Sequence, residues 1–161
     1  MKKLITFFLA LSLFSCNDGD FDVPSFDFTD TVNNCGEYIL YKKNSNSTEA
    51  LILTLGTTQI SNTVGEVSYA ISSSIEVNYR IFEDGISTTY FCQAIPPSTP
   101  KVLTELVAES ATITITTTEK LTDGLVTGYS YDIAISDLLF SDNGERIFFE
   151  NLYFGVFEVN L

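Results

Sequence analysis

From Cys35 onward, apolar and polar residues alternate with a period of two rather than 3.6. Glu37, Ile39 and Tyr41 alternate with Tyr38 and Leu40, and Leu51, Leu53 and Leu55 share one face while Ile52 and Thr54 take the other. The clearest stretch is Ile75-Glu76-Val77-Asn78-Tyr79-Arg80-Ile81, strictly apolar at every second position. Further strands are expected over 88–95 and over 112–120, where Ile113 and Ile115 face inward. Another follows with Tyr129, Tyr131, Ile133 and Ile135 on one face. The final run, 147–159, is apolar on both faces, which suits a central, doubly covered strand or a bent one. Thr and β-branched residues crowd these runs, as pleated surfaces favour.

Turn residues fall between the runs. Asp84-Gly85 is expected to join the strand at Ile75 to the one at Thr88, and Asp123-Gly124 to join the next pair. Asp142-Asn143-Gly144 precedes the last strand. Gly adopts positive φ at little steric cost and Asp or Asn bonds its own backbone, so each is a hairpin signal. Pro96-Pro97-Ser98-Thr99-Pro100 is excluded from a central strand and reads as a crossover between two sheets. The stretch 101–110 has Leu103, Leu106 and Val107 at helical spacing and is open to a helical turn. About eight short strands predict an all-β fold, an antiparallel β-sandwich of immunoglobulin-like or jelly-roll-like type, with an eight-stranded barrel as the alternative.

The first residues follow a different pattern. Lys2 and Lys3 precede an apolar run, 4–14, broken only by Thr6 and Ser12. That run is shorter than the roughly 20 residues of a membrane-spanning helix. Leu13-Phe14-Ser15-Cys16 then gives way to the polar Asn17-Asp18-Gly19-Asp20. This is the layout of a secretory signal peptide. Its cysteine-terminated form resembles the signal of bacterial lipoproteins: Leu13, Ser15 and Cys16 match the leucine, small-residue and cysteine positions, while Phe14 departs from the usual small or β-branched residue. The resemblance implies that Cys16 becomes the mature N-terminus and carries acyl chains, two or more of which hold a protein stably on a bilayer. The chain then divides into a signal peptide (1–15), an acidic tether (16–34) and a single domain (35–161). Phe21, Phe26 and Phe28 are placed to dock the end of the tether on the domain. Asp18, Asp20 and Asp22 resemble the surface-export signal of lipoproteins in the Bacteroidota phylum, and Asp30-Thr31-Val32 fits the O-glycosylation pattern of that group, with Thr31 as acceptor. The location implied is the outer membrane, with either face open.

Loss of Lys2 and Lys3 leaves six basic residues against twenty-one acidic ones, a net charge of −15. Such a surface repels the phosphates of nucleic acid, which need Lys and Arg. Outside the cytoplasm an even pair of cysteines reads as a disulfide. Cys35 and Cys92 would close a loop of about 58 residues, to which chain entropy assigns about 4 kcal/mol. Two buried thiols or a metal site are the alternatives, although two cysteines without histidine make a poor zinc site.

The chain contains no histidine, which removes Ser-His-Asp and Cys-His catalysis. No Gly-rich phosphate loop occurs. Paired carboxylates are the catalytic device the composition allows, and Asp132 and Glu150 each interrupt an apolar-rich strand. Solvent-facing positions on a strand explain both equally. No cofactor or metal ligand set is assigned. Calcium is the ion the acids suit best, yet Asp18-Gly19-Asp20-Phe21-Asp22 lacks the EF-hand glutamate, since Thr29 stands there. Asp142, Asn143 and Glu145 are accounted for by turn chemistry. Tyr129 and Tyr131 offer an aromatic platform, but their shared face with Ile133 favours core. The reading is a non-enzymatic, lipid-anchored cell-envelope protein whose domain binds an envelope protein or a glycan. A carbohydrate-active enzyme with paired carboxylates and a surface-assembly subunit with free edge strands are the alternatives.

Overall fold

A computed structural model describes residues 26–36, 38–95, 97–142 and 144–161. The strands are β1 (Asn33–Cys35), β2 (Ile39–Lys43), β3 (Glu49–Thr54), β4 (Gly65–Ala70), β5 (Glu76–Phe82), β6 (Val102–Thr122), β7 (Leu125–Asp142) and β8 (Glu145–Asn160). A single 3-10 turn, Tyr90–Cys92, lies between β5 and β6. The all-β, antiparallel character required by the alternation is present throughout. All eight strands join one sheet in the order β1-β2-β3-β5-β6-β7-β8, with β4 added to β6. They do not divide into the two separate sheets that a sandwich implies. β6 carries β5 along its first part and β4 along Thr112–Thr117, while β7 follows its other edge.

The sheet curls because its long strands change face partway along. In β6 the buried set switches from Leu106 and Ala108 to Ala111, Ile113 and Ile115. Opposite, β7 switches from Tyr131, Ile133 and Ile135 to Leu138 and Phe140, and the extra residue is Asp137 at φ 52°. Register shifts at Ala108/Ser110 and Ser110/Thr112 face that point, and Ser110 Oγ donates to the Asp137 carbonyl at 3.2 Å. Such bulges bend a strand and increase its twist. The two arms of the curled sheet therefore bury one common core: Leu51, Leu53, Val77 and Tyr79 from one arm meet Ile113, Ile133, Ile135 and Phe154 from the other. The hydrophobic contact within this core is the main stabilising term of the fold.

Four local expectations are corrected, and a fifth, the last run, takes the bent one of its two alternatives. Residues 88–95 form the 3-10 turn and flanking loop, not a strand, because β6 takes the edge of β5 that such a strand would need. Asp84-Gly85 is accordingly a turn into this excursion, not a two-strand hairpin. The proline segment does not cross between sheets, since it leads into β6, the direct neighbour of β5. The stretch 101–110 is extended from Val102 onward. The last run is a bent strand at the end of the sheet, not a central one. Its apolar residues split between the core (Ile147, Phe154, Phe157) and solvent (Phe148, Tyr153, Val156).

In the segment before β1, Phe26 and Phe28 pack on the domain, and Phe21 lies outside the described residues. The Phe26 ring stacks on Tyr79 with centroids 4.5 Å apart and lies 4.5 Å from Phe149 and 5.9 Å from Phe140. Thr29 donates its backbone N–H to the Lys43 carbonyl at 2.9 Å. Val32 lies over Gly155, where a Cβ would come within 2.6 Å of Val32 Cγ2. Residues 26–32 thus strap the opening between the two ends of the curled sheet.

Candidate functional site

β3 and β5 have both faces covered. Their inner residues enter the common core, while Tyr41, Ala50, Ile52 and Phe82 face outward and form a second cluster with Ile86 and Tyr90. The cover is the segment 83–101. It is held by the Cys35–Cys92 disulfide, whose Cα atoms are 4.9 Å apart across 57 positions of sequence. Tyr41 fixes it further by donating its hydroxyl to the Thr88 carbonyl. Edge-to-face packing of Tyr90 on Phe82, centroids 5.1 Å apart, adds an aromatic contact. A hairpin connection between neighbouring antiparallel strands needs about 2–5 residues, and much longer ones are commonly functional.

Between this cover and the sheet lies a cleft of ≈ 290 Å³. The register dictates its floor. Ile39, Thr54 and Glu76 stand in one cross-strand row, and Ile52 and Asn78 in the next. The roof is Phe91, Gln93 and Ala94. At one end Arg80 forms a wall with Tyr90, and its Nη2 and Nε contact Glu105 Oε1 at 2.6 and 2.7 Å. Asn78 Oδ1 is buried without a hydrogen-bond donor. Tyr90 and Arg80 also border a neighbouring cavity of ≈ 400 Å³, lined on its far side by Ser98, Pro100 and Lys101.

A second groove, ≈ 530 Å³, follows the strapped opening between Asp30–Asn34 and the Tyr153–Glu158 part of β8. Tyr153 is held above the ordinary tyrosine range by partial desolvation and by the adjacent Asp132 carboxylate, with Asp30 adding to it. Lys42, nearly buried beneath the strap, is pushed down by desolvation against the opposing pull of Asp30.

The residues singled out from sequence are placed as follows. Cys35 and Cys92 are bonded. Thr31 is exposed at the rim of the groove beside β8. Cys16, like the acids at 18, 20 and 22, lies outside the described residues. Asp132 and Glu150 are not brought together. Asp132 is opposite Val156, six residues along β8 from Glu150, or about 20 Å of extended strand. Both side chains are exposed. Tyr131 is core, 1% exposed, with its hydroxyl donating to Asn62 Oδ1 at 2.9 Å, and Tyr129 packs at the margin of the same cluster. Asp142 and Glu145 are partners at the turn between β7 and β8, and Asn143 lies outside the described residues. Among the described residues, no three Cys, Asp or Glu side chains converge to hold a metal ion. No helix among them is long and apolar enough to cross a membrane.

Sequence reading missed β4 and the outer cleft. The signal for β4 was present in the alternation of Val67, Tyr69 and Ile71. For the cleft, Asn78 stands at a regular polar position of its strand, and its lack of a partner depends on a roof that folds back from Phe91. The chain matches no family model, no curated protein and no solved structure.

Proposed function

We propose that this protein is an exported lipoprotein, acylated at Cys16 and held on the outer membrane. In this reading its β domain is a non-catalytic binding module, and the roofed cleft on the outer face of β3 and β5 is its site. One observation carries the reading. The connection between adjacent strands β5 and β6 extends from residue 83 to 101, is stapled by a disulfide, and encloses a cavity where a short turn would suffice. The disulfide is consistent with an oxidising compartment, and the leader pattern supports export. In packing terms the two arms of the sheet serve as the layers of a sandwich, while their continuity through β6 is barrel-like. The distance between Asp132 and Glu150 along β8 favours binding over carboxylate-pair catalysis, which needs about 5–9.5 Å between the groups. The partner is an envelope glycan or protein, and the acidic surface disfavours nucleic acid.

A photo-crosslinking side chain at Gln93, in the roof, tests this on whole cells. The expected result is a saturable crosslink that purified envelope material competes away and that the same probe at Asp123 does not give. Equal labelling from both positions would refute the assignment of the cleft.

A further inference from the structure

We propose, resting on the binding-module reading, that the cleft and the cavity beside it are two subsites for a short neutral oligosaccharide, divided by Tyr90 and Arg80. The two cavities share these residues as a common wall, so a ligand of linked units spans both. The first cavity, ≈ 290 Å³, is at the lower end of ligand-site sizes and admits one ring-sized group. Its surfaces are amphipathic in the way a sugar ring is. Ile39 and Ile52 below and Phe91 above offer apolar faces, while Thr54, Asn78 and Gln93 offer polar edges.

Asn78 narrows the chemistry. Its buried amide oxygen has no donor, which is costly unless a ligand supplies one. A side-chain amide can turn to present either oxygen or nitrogen, and a hydroxyl satisfies both because it donates and accepts. A carboxylate satisfies only the nitrogen and an ammonium only the oxygen. Charge selects in the same direction. Glu76 lies in the cleft, Arg80 is already paired to Glu105, and the chain as a whole is strongly acidic. Anionic sugars are therefore disfavoured. In the second cavity the rings of Pro97 and Pro100 supply apolar surface, and Ser98 and Lys101 supply donors.

The test is a titration of the full acylated chain in detergent micelles, followed by NMR of the Asn78 and Gln93 side-chain amides. The titrants are neutral tetrasaccharides (α-glucan, β-glucan and mannan), matching uronic-acid oligomers, and a peptide digest of the native envelope. At least one neutral tetrasaccharide is expected to shift both amides saturably. Asn78→Leu should then weaken that binding at least tenfold while leaving the melting temperature unchanged or raised, because it removes a buried polar group that lacks a partner. A residue that merely holds the cleft together would lower the melting temperature instead. Shifts produced by uronates or peptides but not by neutral sugars would overturn the ligand class and keep the binding module. Amides that none of the titrants shifts would overturn this proposal, and the crosslinking result at Gln93 would decide the broader reading separately.

Discussion

Gly155 shows how much one position can decide. It sits at φ 125°, a region that side chains rarely adopt, and Val32 occupies the space above it. Gly155→Val should cost about 3 kcal/mol in urea unfolding, from backbone strain together with displacement of Val32. Tyr41 governs an alkaline effect. Burial pushes its hydroxyl above the ordinary value of 10.0, so the unfolded chain loses that proton first. The stability it contributes is intact below pH 10.0 and falls as pH rises through the raised folded pKa. Lys42 acts in the opposite sense: its pKa is lowered, so stability rises between that value and the ordinary 10.5. Comparing Tyr41→Phe with the parent isolates the tyrosine. The variant should lose about 1 kcal/mol at neutral pH with its hydrogen bond to Thr88 and show a shallower decline above pH 10.0. An unchanged alkaline slope would show that Tyr41 does not carry it. The inward positions at this scale were legible: Ile113, Ile115, Tyr131, Ile133 and Ile135 are all buried as their alternation requires. Asp137 was not, because its positive φ follows from the bend of the whole strand.

Elements were legible where alternation ran uninterrupted and misread where the chain served as a cover. Residues 88–95 carry strand-like composition, but Tyr90 and Phe91 pack down on Phe82 and Tyr41 instead of entering a ladder. The helical spacing of Leu103, Leu106 and Val107 comes from apolar residues on both faces of β6, with Leu106 buried and Leu103 and Val107 exposed, and β8 likewise carries apolar residues on both sides. A bulge shifts the period by one, so a window that spans it shows neither clean pattern. The cover owes its position to the disulfide. Replacing Cys35 and Cys92 with alanine should lower stability by up to about 4 kcal/mol. Hydrogen exchange should rise over Tyr90–Cys92 while β6, β7 and β8 stay protected. Uniform loss of protection would mean that the segment is integral to the main core rather than a roof laid over it.

At the scale of the molecule, one continuous sheet builds two distinct features. Its inner surface forms the core, closed at the open side by residues 26–32. Its outer surface, over β3 and β5, carries the roofed cleft. The staple of this plan was legible in the sequence, in the pairing of Cys35 with Cys92. The closure of the sheet through β6 depends on strand partners distant in sequence, and no local pattern reveals it. The account also requires that the body be tethered outside the cytoplasm. Mass spectrometry of the protein taken from its native membrane tests both requirements in one sample. The account predicts an N-terminal peptide beginning at Cys16 with at least two acyl chains, and a Cys35–Cys92 linked peptide. A retained leader or an unmodified Cys16, with free thiols at 35 and 92, would contradict it.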